Sequence, residues 1–286
     1  MDWWTWPFLM AGICLARLFR TRESMVLGEV QRISHRWRLP LTWTAHVDAV
    51  RRTRSIARGD AIGAVVGSGL GLLVGWITRS TGYPYGAIVG LWLGMTLGTA
   101  AAAAAQVPSA PPGPRVTHAR ALSVDDFAPR WLTVVTWTAP VLAVAAVAAA
   151  SLVREEPWAA RDSLAGAIVL MTAALLGLAG FSLVSARAIR APRLARTDLE
   201  LAWQDGFVGR SVIEASAVTA VASLGAVVLA LFPATAASGV PLLIAVTALA
   251  VVALWPRPQQ TFRRRLWNDR VFELTPEDLE AAPGRS

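Results

Sequence analysis

Residues 60–78 read DAIGAVVGSGLGLLVGWIT and residues 84–105 read PYGAIVGLWLGMTLGTAAAAAA. After Asp60 neither run carries a charge. Each is long enough, at about 1.5 Å per residue, for a helix to cross a hydrocarbon core of about 30 Å. Backbone amides in hydrocarbon have to bond within their own segment, so such runs are helices. Their continuous Ala, Val, Leu and Gly content lacks the alternation of barrel strands. A second pattern lies inside them. Gly63, Gly67, Gly71 and Gly75 recur every fourth residue, and Gly86, Gly90, Gly94 and Gly98 repeat that spacing. Glycines at i, i+4, i+8 and i+12 cut a groove along one helix face and let another backbone come close. Only Arg79–Tyr83 separates the runs, which makes each groove the simplest partner of the other. Packing against other protomers, or lining a narrow pore, is the functional alternative.

Working outward, further apolar blocks cover 131–153, 163–186, 212–232 and 239–255, and a shorter one covers 3–19. Hydrophobic residues make up 55% of the chain and charged ones 16%, against about 25% charge in a soluble domain. These features predict an all-α, polytopic transmembrane bundle forming one integral-membrane domain over 1–286. Six spans pair into three hairpins, with turns at Arg79–Tyr83, Arg154–Arg161 and Pro233–Ser238 that draw on Gly, Pro and small or polar residues, and the N-terminal block makes a seventh span. That block opens with Asp2, Trp3, Trp4, Trp6 and Pro7, without the basic start or small-residue cleavage site of a signal peptide. It can just span, with Arg17 snorkelling inward. An interfacial helix in a six-span protein is the alternative.

Orientation follows from the arginines. All 27 basic residues are Arg, and the formal net charge is +8. Segments 20–59, 106–130, 187–211 and 256–286 hold nearly all of them, whereas the intervening connections hold only Arg79, Arg154 and Arg161. The positive-inside rule therefore makes those four segments cytoplasmic, with the N-terminus outside and the C-terminus inside. The same sorting accounts for the charge without nucleic acid, for which no reading motif is present.

The cytoplasmic segments have internal character. In 195–210, ARTDLELAWQDGFVGR, Thr197 or Asp198 fits a helix N-cap, and Leu199, Trp203 and Phe207 fall on one face. Asp198, Glu200 and Asp205 are expected on the rest of that surface. Segment 117–130, THARALSVDDFAPR, offers Leu122, Asp125, Asp126 and Phe127; segment 41–56 offers Trp43, Val47 and Val50 on one face. Such elements either lie on the anionic inner leaflet or dock a cytoplasmic partner. The carboxylates favour a partner, because anionic lipid repels them. Leu199, Trp203, Phe207, Asp125 and Asp126 are the candidate docking residues. Gln106–Pro114, QVPSAPPGP, is a linker that cannot be helical.

Residues of chemistry are sparse. Deep span positions carry no ionisable group; Asp60 and Glu214 come closest and fit carboxylates at helix starts. Thr133, Thr136 and Thr138 precede Pro140, where a kink is expected. His35, His46 and His118 match no zinc spacing, and Cys14 reads as a small buried apolar residue. No catalytic, cofactor-binding or metal set is predicted.

HARALSVDDFAP at 118–129 and LARTDLELAWQDGF at 194–207 resemble segments of polytopic membrane proteins of actinobacteria. That family has no established activity, so the resemblance implies a membrane fold and carries over no functional residue. The expected function is a non-enzymatic permease-like or scaffold subunit of the cell membrane, docking a partner such as a transport ATPase. A self-contained channel or facilitator built on the glycine-zipper hairpin, alone or as a homo-oligomer, is the alternative. A membrane enzyme acting on a lipid-borne substrate comes third.

Overall fold

The computed structural model describes residues 5–78, 90–91, 94–95, 97–99, 101–102, 118, 121–153, 159–190, 195, 197–231 and 260–272. Every regular element among them is helical: α1 (Thr5–Phe19), α2 (Glu23–Trp37), α3 (Trp43–Thr78), a 3-10 turn (Val124–Asp126), α4 (Arg130–Val153), α5 (Ala159–Arg190), α6 (Asp198–Leu231) and α7 (Thr261–Trp267). The described residues of 90–102 are helical as well. Among the described residues, four stretches are long and apolar enough to cross a membrane: Ala45–Leu73, Arg130–Leu152, Gly166–Arg190 and Asp198–Leu231. The expected span 239–255, the start of 84–105, the linker 106–114 and the turns 79–83 and 233–238 lie outside the described residues.

Three helices are longer than the sequence reading makes them. α3 has 36 residues, α5 has 32 and α6 has 34, or about 48–54 Å of rod against about 30 Å of hydrocarbon. α3 fuses the amphipathic segment 41–56 with the apolar run 60–78, and α6 fuses 195–210 with 212–232. No proline stands at either junction, and a change from polar to apolar side chains does not interrupt backbone hydrogen bonding. α5 starts at Ala159, inside the stretch 154–161 expected to be a turn.

α6 is the central helix, buried around its circumference from Leu199 to Ala230. Its Ala, Ser, Gly, Val and Thr residues leave no polar stripe, and a helix apolar all round belongs inside. Its hydroxyls bond back along the helix: Ser211 to the Phe207 carbonyl, Ser216 to Val212, Thr219 to Ala215 and Ser223 to Thr219. Each of these hydroxyls is thus satisfied where no water competes. At the far end of α6, Ala226, Leu229 and Ala230 pack against Ala143 and Val147 of α4 and Ala167 and Leu170 of α5.

α1 runs antiparallel to α3. Cys14 Sγ lies 3.6 Å from Ser68 Oγ, and one turn further on Arg17 donates to Asp60 at 3.0 Å. Arg17 therefore has a carboxylate partner instead of the snorkelling position expected from the sequence. Ile62, Val65, Val66, Leu70 and Leu73 of α3 are exposed, as are Val134, Trp137, Val141 and Leu142 of α4.

Candidate functional site

The largest apolar cluster sits where α2, the start of α3, the 3-10 turn, the start of α4, the end of α5 and the start of α6 converge with α7. This hub is organised around Trp37, the last residue of α2. In α2 the buried residues Val26, Val30, Ile33 and Trp37 follow helical spacing and bring the indole inward. Trp203, Phe207 and Phe262 meet it edge-on, with ring centroids at 5.6, 5.4 and 5.6 Å. Such edge-to-face pairs add about 0.5–1.5 kcal/mol each beyond the area they bury. Gly206 makes room, since a Cβ there would lie 2.6 Å from the Trp37 ring. Trp37 Nε1 itself is buried without a hydrogen-bond partner, so packing alone holds this ring.

Polar groups fasten the link between α2 and α3. Arg38 closes α2 in the left-handed region at φ 53, a conformation that costs a non-glycine residue about 1–3 kcal/mol. The surrounding bonds fix it there. Arg263 Nη1 donates to the carbonyls of Trp37 at 2.7 Å and Arg38 at 2.9 Å, while its Nη2 donates to that of Arg270. Gln260 Nε2 donates to the Arg36 carbonyl and Trp203 Nε1 to that of Pro40. Burial pushes the Arg263 guanidinium below its usual pKa, and the charge of Asp269 works in the opposite direction.

Beside the aromatic cluster lies a fully buried carboxylate. Asp205 Oδ2 is 2.8 Å from His118 Nε2 and accepts from Trp267 Nε1 at 3.0 Å. His118 also meets the Trp267 ring edge-on. One carboxylate in α6 thus joins residues 87 and 62 positions away. A charged acceptor inside protein is stabilised by two such donors and costly without them.

These contacts correct the docking surface expected from the sequence. Leu199, Trp203 and Phe207 do share a face, and that face is buried at 5%, 4% and 6% exposure against the chain's own hub. The apolar stripe has found its partner within the molecule. Asp205, expected on the helix surface, is wholly buried. The other acids have partners of their own. Asp126 accepts from the backbone and hydroxyl of Ser123 in a capping box, Asp125 pairs with Arg130 at 2.9 Å and Asp198 with Arg270 at 2.6 Å. Asp125, Asp126, Asp198 and Asp205 are thus each engaged by a different partner. Segment 41–56 is turned the other way round as well. Ala45, Ala49, Thr53 and Ile56 face inward, leaving Trp43 and Val47 about half exposed.

The glycines meet backbone to backbone. A Cβ on Gly67 would lie 2.8 Å from the Gly90 carbonyl carbon, and one on Gly63 would lie 2.5 Å from that of Gly94. One on Gly98 would lie 2.8 Å from the carbonyl carbon of Gly59, a residue outside the eight. Gly71 approaches from the next turn, its Cα 3.2 Å from a Cβ on Gly90. Gly86 lies outside the described residues, and Gly75 is described only as backbone of α3. On the neighbouring side of α3, Gly69 faces open space.

Elsewhere, Arg210 of α6 bridges Glu214 at 2.8 Å and Glu29 of α2 at 3.4 Å. Glu214 is thus held by an arginine, beyond its expected place near a helix start. Cys14 is a buried free thiol. Among the described residues no group of His, Cys, Asp and Glu is arranged to hold a metal. The described residues thus form an all-helical fold with four helices long and apolar enough to cross a membrane, together with a densely tied hub. No protein family, curated protein or solved structure matches the chain.

Proposed function

We propose that the protein is a non-enzymatic, permease-like or scaffold subunit of the cell membrane, whose hub receives a cytoplasmic partner. In this reading it has seven spans, an outside N-terminus and a cytoplasmic C-terminus. The antiparallel lie of α1 along α3 supports the seventh span, because an interfacial helix would cross α3 rather than follow it from Ser68 to Asp60. The arginine sorting supports the orientation.

One observation carries the functional part: α3, α5 and α6 run unbroken from the apolar layer into the hub. A continuous helix transmits displacement along its length, so a force applied to the hub moves the membrane halves of the same rods. That coupling suits a subunit driven from outside itself, for example by a transport ATPase. The contact face we assign is the exposed pair Trp43 and Val47, in place of the buried Leu199, Trp203 and Phe207. Trp43 lies nineteen residues, or about 28 Å, before Ile62 along α3, beyond a headgroup layer of about 5–8 Å.

Mild-detergent purification from native membranes tests the proposal. The expected result is a stoichiometric partner that is lost from a Trp43→Ala/Val47→Ala variant whose thermal stability is unchanged. Solute flux or conductance from the purified protein alone, reconstituted in vesicles, sinks this reading in favour of the channel.

A further inference from the structure

At the elbow between α1 and α2, two helices change from apolar to basic at one level. On α1, the exposed Leu15, Leu18 and Phe19 lead directly into Arg20 and Arg22. On α3, the exposed Ile62, Val65 and Val66 are preceded by Arg58 and Arg54 on the same helix face. The Arg17–Asp60 pair at 3.0 Å and the Arg54–Glu23 contact at 3.8 Å lock the two levels together. Arg17 and Asp60 neutralise one another, which leaves Arg20, Arg22, Arg54 and Arg58 sharing the single carboxylate of Glu23. Arg20, Arg22 and Arg58 are exposed, and none has a carboxylate partner among the described residues. The Arg22 guanidinium stacks 4.3 Å from the centroid of Phe19, which holds it at the edge of the apolar surface.

We infer that this elbow is a binding site for an anionic phospholipid, with the phosphate held by Arg20 and Arg58 and the acyl chains lying on Leu15, Leu18, Phe19 and Ile62. A soluble anion would use the guanidinium groups and leave those apolar side chains without a role. An anionic lipid matches both halves of the surface at once. Guanidinium forks suit phosphate oxygens, and a headgroup bridging Arg20 and Arg58 ties α1 to α3 beyond the Arg17–Asp60 pair. The inference rests on the proposed topology, which sets this level at the inner leaflet.

The test uses the full chain in mild detergent, with phosphatidylglycerol and phosphatidylcholine offered in competition and bound lipid read by native mass spectrometry. Wild type is expected to retain phosphatidylglycerol preferentially. Arg20→Gln/Arg58→Gln lowers that preference by roughly fivefold per arginine removed. Arg32→Gln/Arg264→Gln, which removes two exposed arginines away from the elbow, leaves it intact. Equal retention of both lipids by wild type, or equal loss in the two double variants, overturns the site. Displacement of phosphatidylglycerol by inorganic phosphate at matched ionic strength also overturns it, in favour of a soluble-anion site. A reporter on residue 1 separates the two readings. Cytoplasmic signal removes the topology and the site together, whereas outside signal without lipid preference removes the site alone.

Discussion

The hub and the glycine seam hold the same long helix, α3, by opposite means. At the hub, large rings fill the space between backbones, and Trp37 is surrounded by Trp203, Phe207 and Phe262. At the seam, side chains are removed so that the backbones of Gly63 and Gly67 meet those of Gly94 and Gly90. In the proposed topology the difference follows from the solvent around each region. Outside the bilayer, burying an aromatic ring removes it from water and is favourable by the hydrophobic effect. Within lipid that drive is absent, so close approach, dispersion and weak Cα–H···O contacts remain. Bulk stabilises one region, and its absence stabilises the other.

The contrast is most sharply tested by exchanging the rules. Trp37→Ala leaves a void among three rings and is expected to cost about 3–5 kcal/mol, seen as a fall in melting temperature of the purified protein. An unchanged melting temperature would mean that the hub is not a packed core. Asp205→Ala leaves His118 and Trp267 without their shared acceptor and should cost about 1–3 kcal/mol. Asp205→Asn, which keeps one acceptor, should recover part of that loss.

Gly63→Ala adds the smallest side chain where no neighbour has an atom that can swing aside, and overpacking there is expected to cost about 1–3 kcal/mol. Gly69→Ala, where a Cβ meets nothing within 4 Å, should instead gain up to about 1 kcal/mol from helix propensity. The opposite signs on one helix are the sharpest form of the seam argument, and equal shifts in the two melting curves would break it. The smallest effect belongs to Trp43→Ala. Its exposed ring predicts a stability change within about 0.5 kcal/mol, together with loss of the proposed partner.

Much of the fold was legible before any coordinates. Charge-free runs mark helices because hydrocarbon leaves the backbone no other partner. Glycines at fourfold spacing mark a face that admits a backbone, and Gly63, Gly67, Gly71, Gly90, Gly94 and Gly98 lie at such a contact. The site was legible only in part. Leu199, Trp203 and Phe207 read correctly as one apolar face, but periodicity says that a face is buried without saying against what. Trp37 and Phe262 meet them from distant segments and carry no local signal of that meeting. Asp205, His118 and Trp267 are likewise scattered along the chain, so no motif could join them. The burial of α6 left a compositional trace in its lack of any polar stripe. Its central place depends on α4 and α5 closing around it.

The sequence by itself determined the helical class, the approximate positions of the four membrane-length apolar helices, the sorting of arginines and the spacing of the glycines. These are local properties, set by side-chain transfer energies and by a helical repeat of about 3.6 residues. Only the tertiary structure decided that α3 and α6 pass unbroken into the hub, that the expected docking face is interior, and that the seam includes Gly59 while Gly69 stands outside it. Those outcomes depend on which distant surfaces come into contact, and contact energies between remote segments are absent from any single window of sequence.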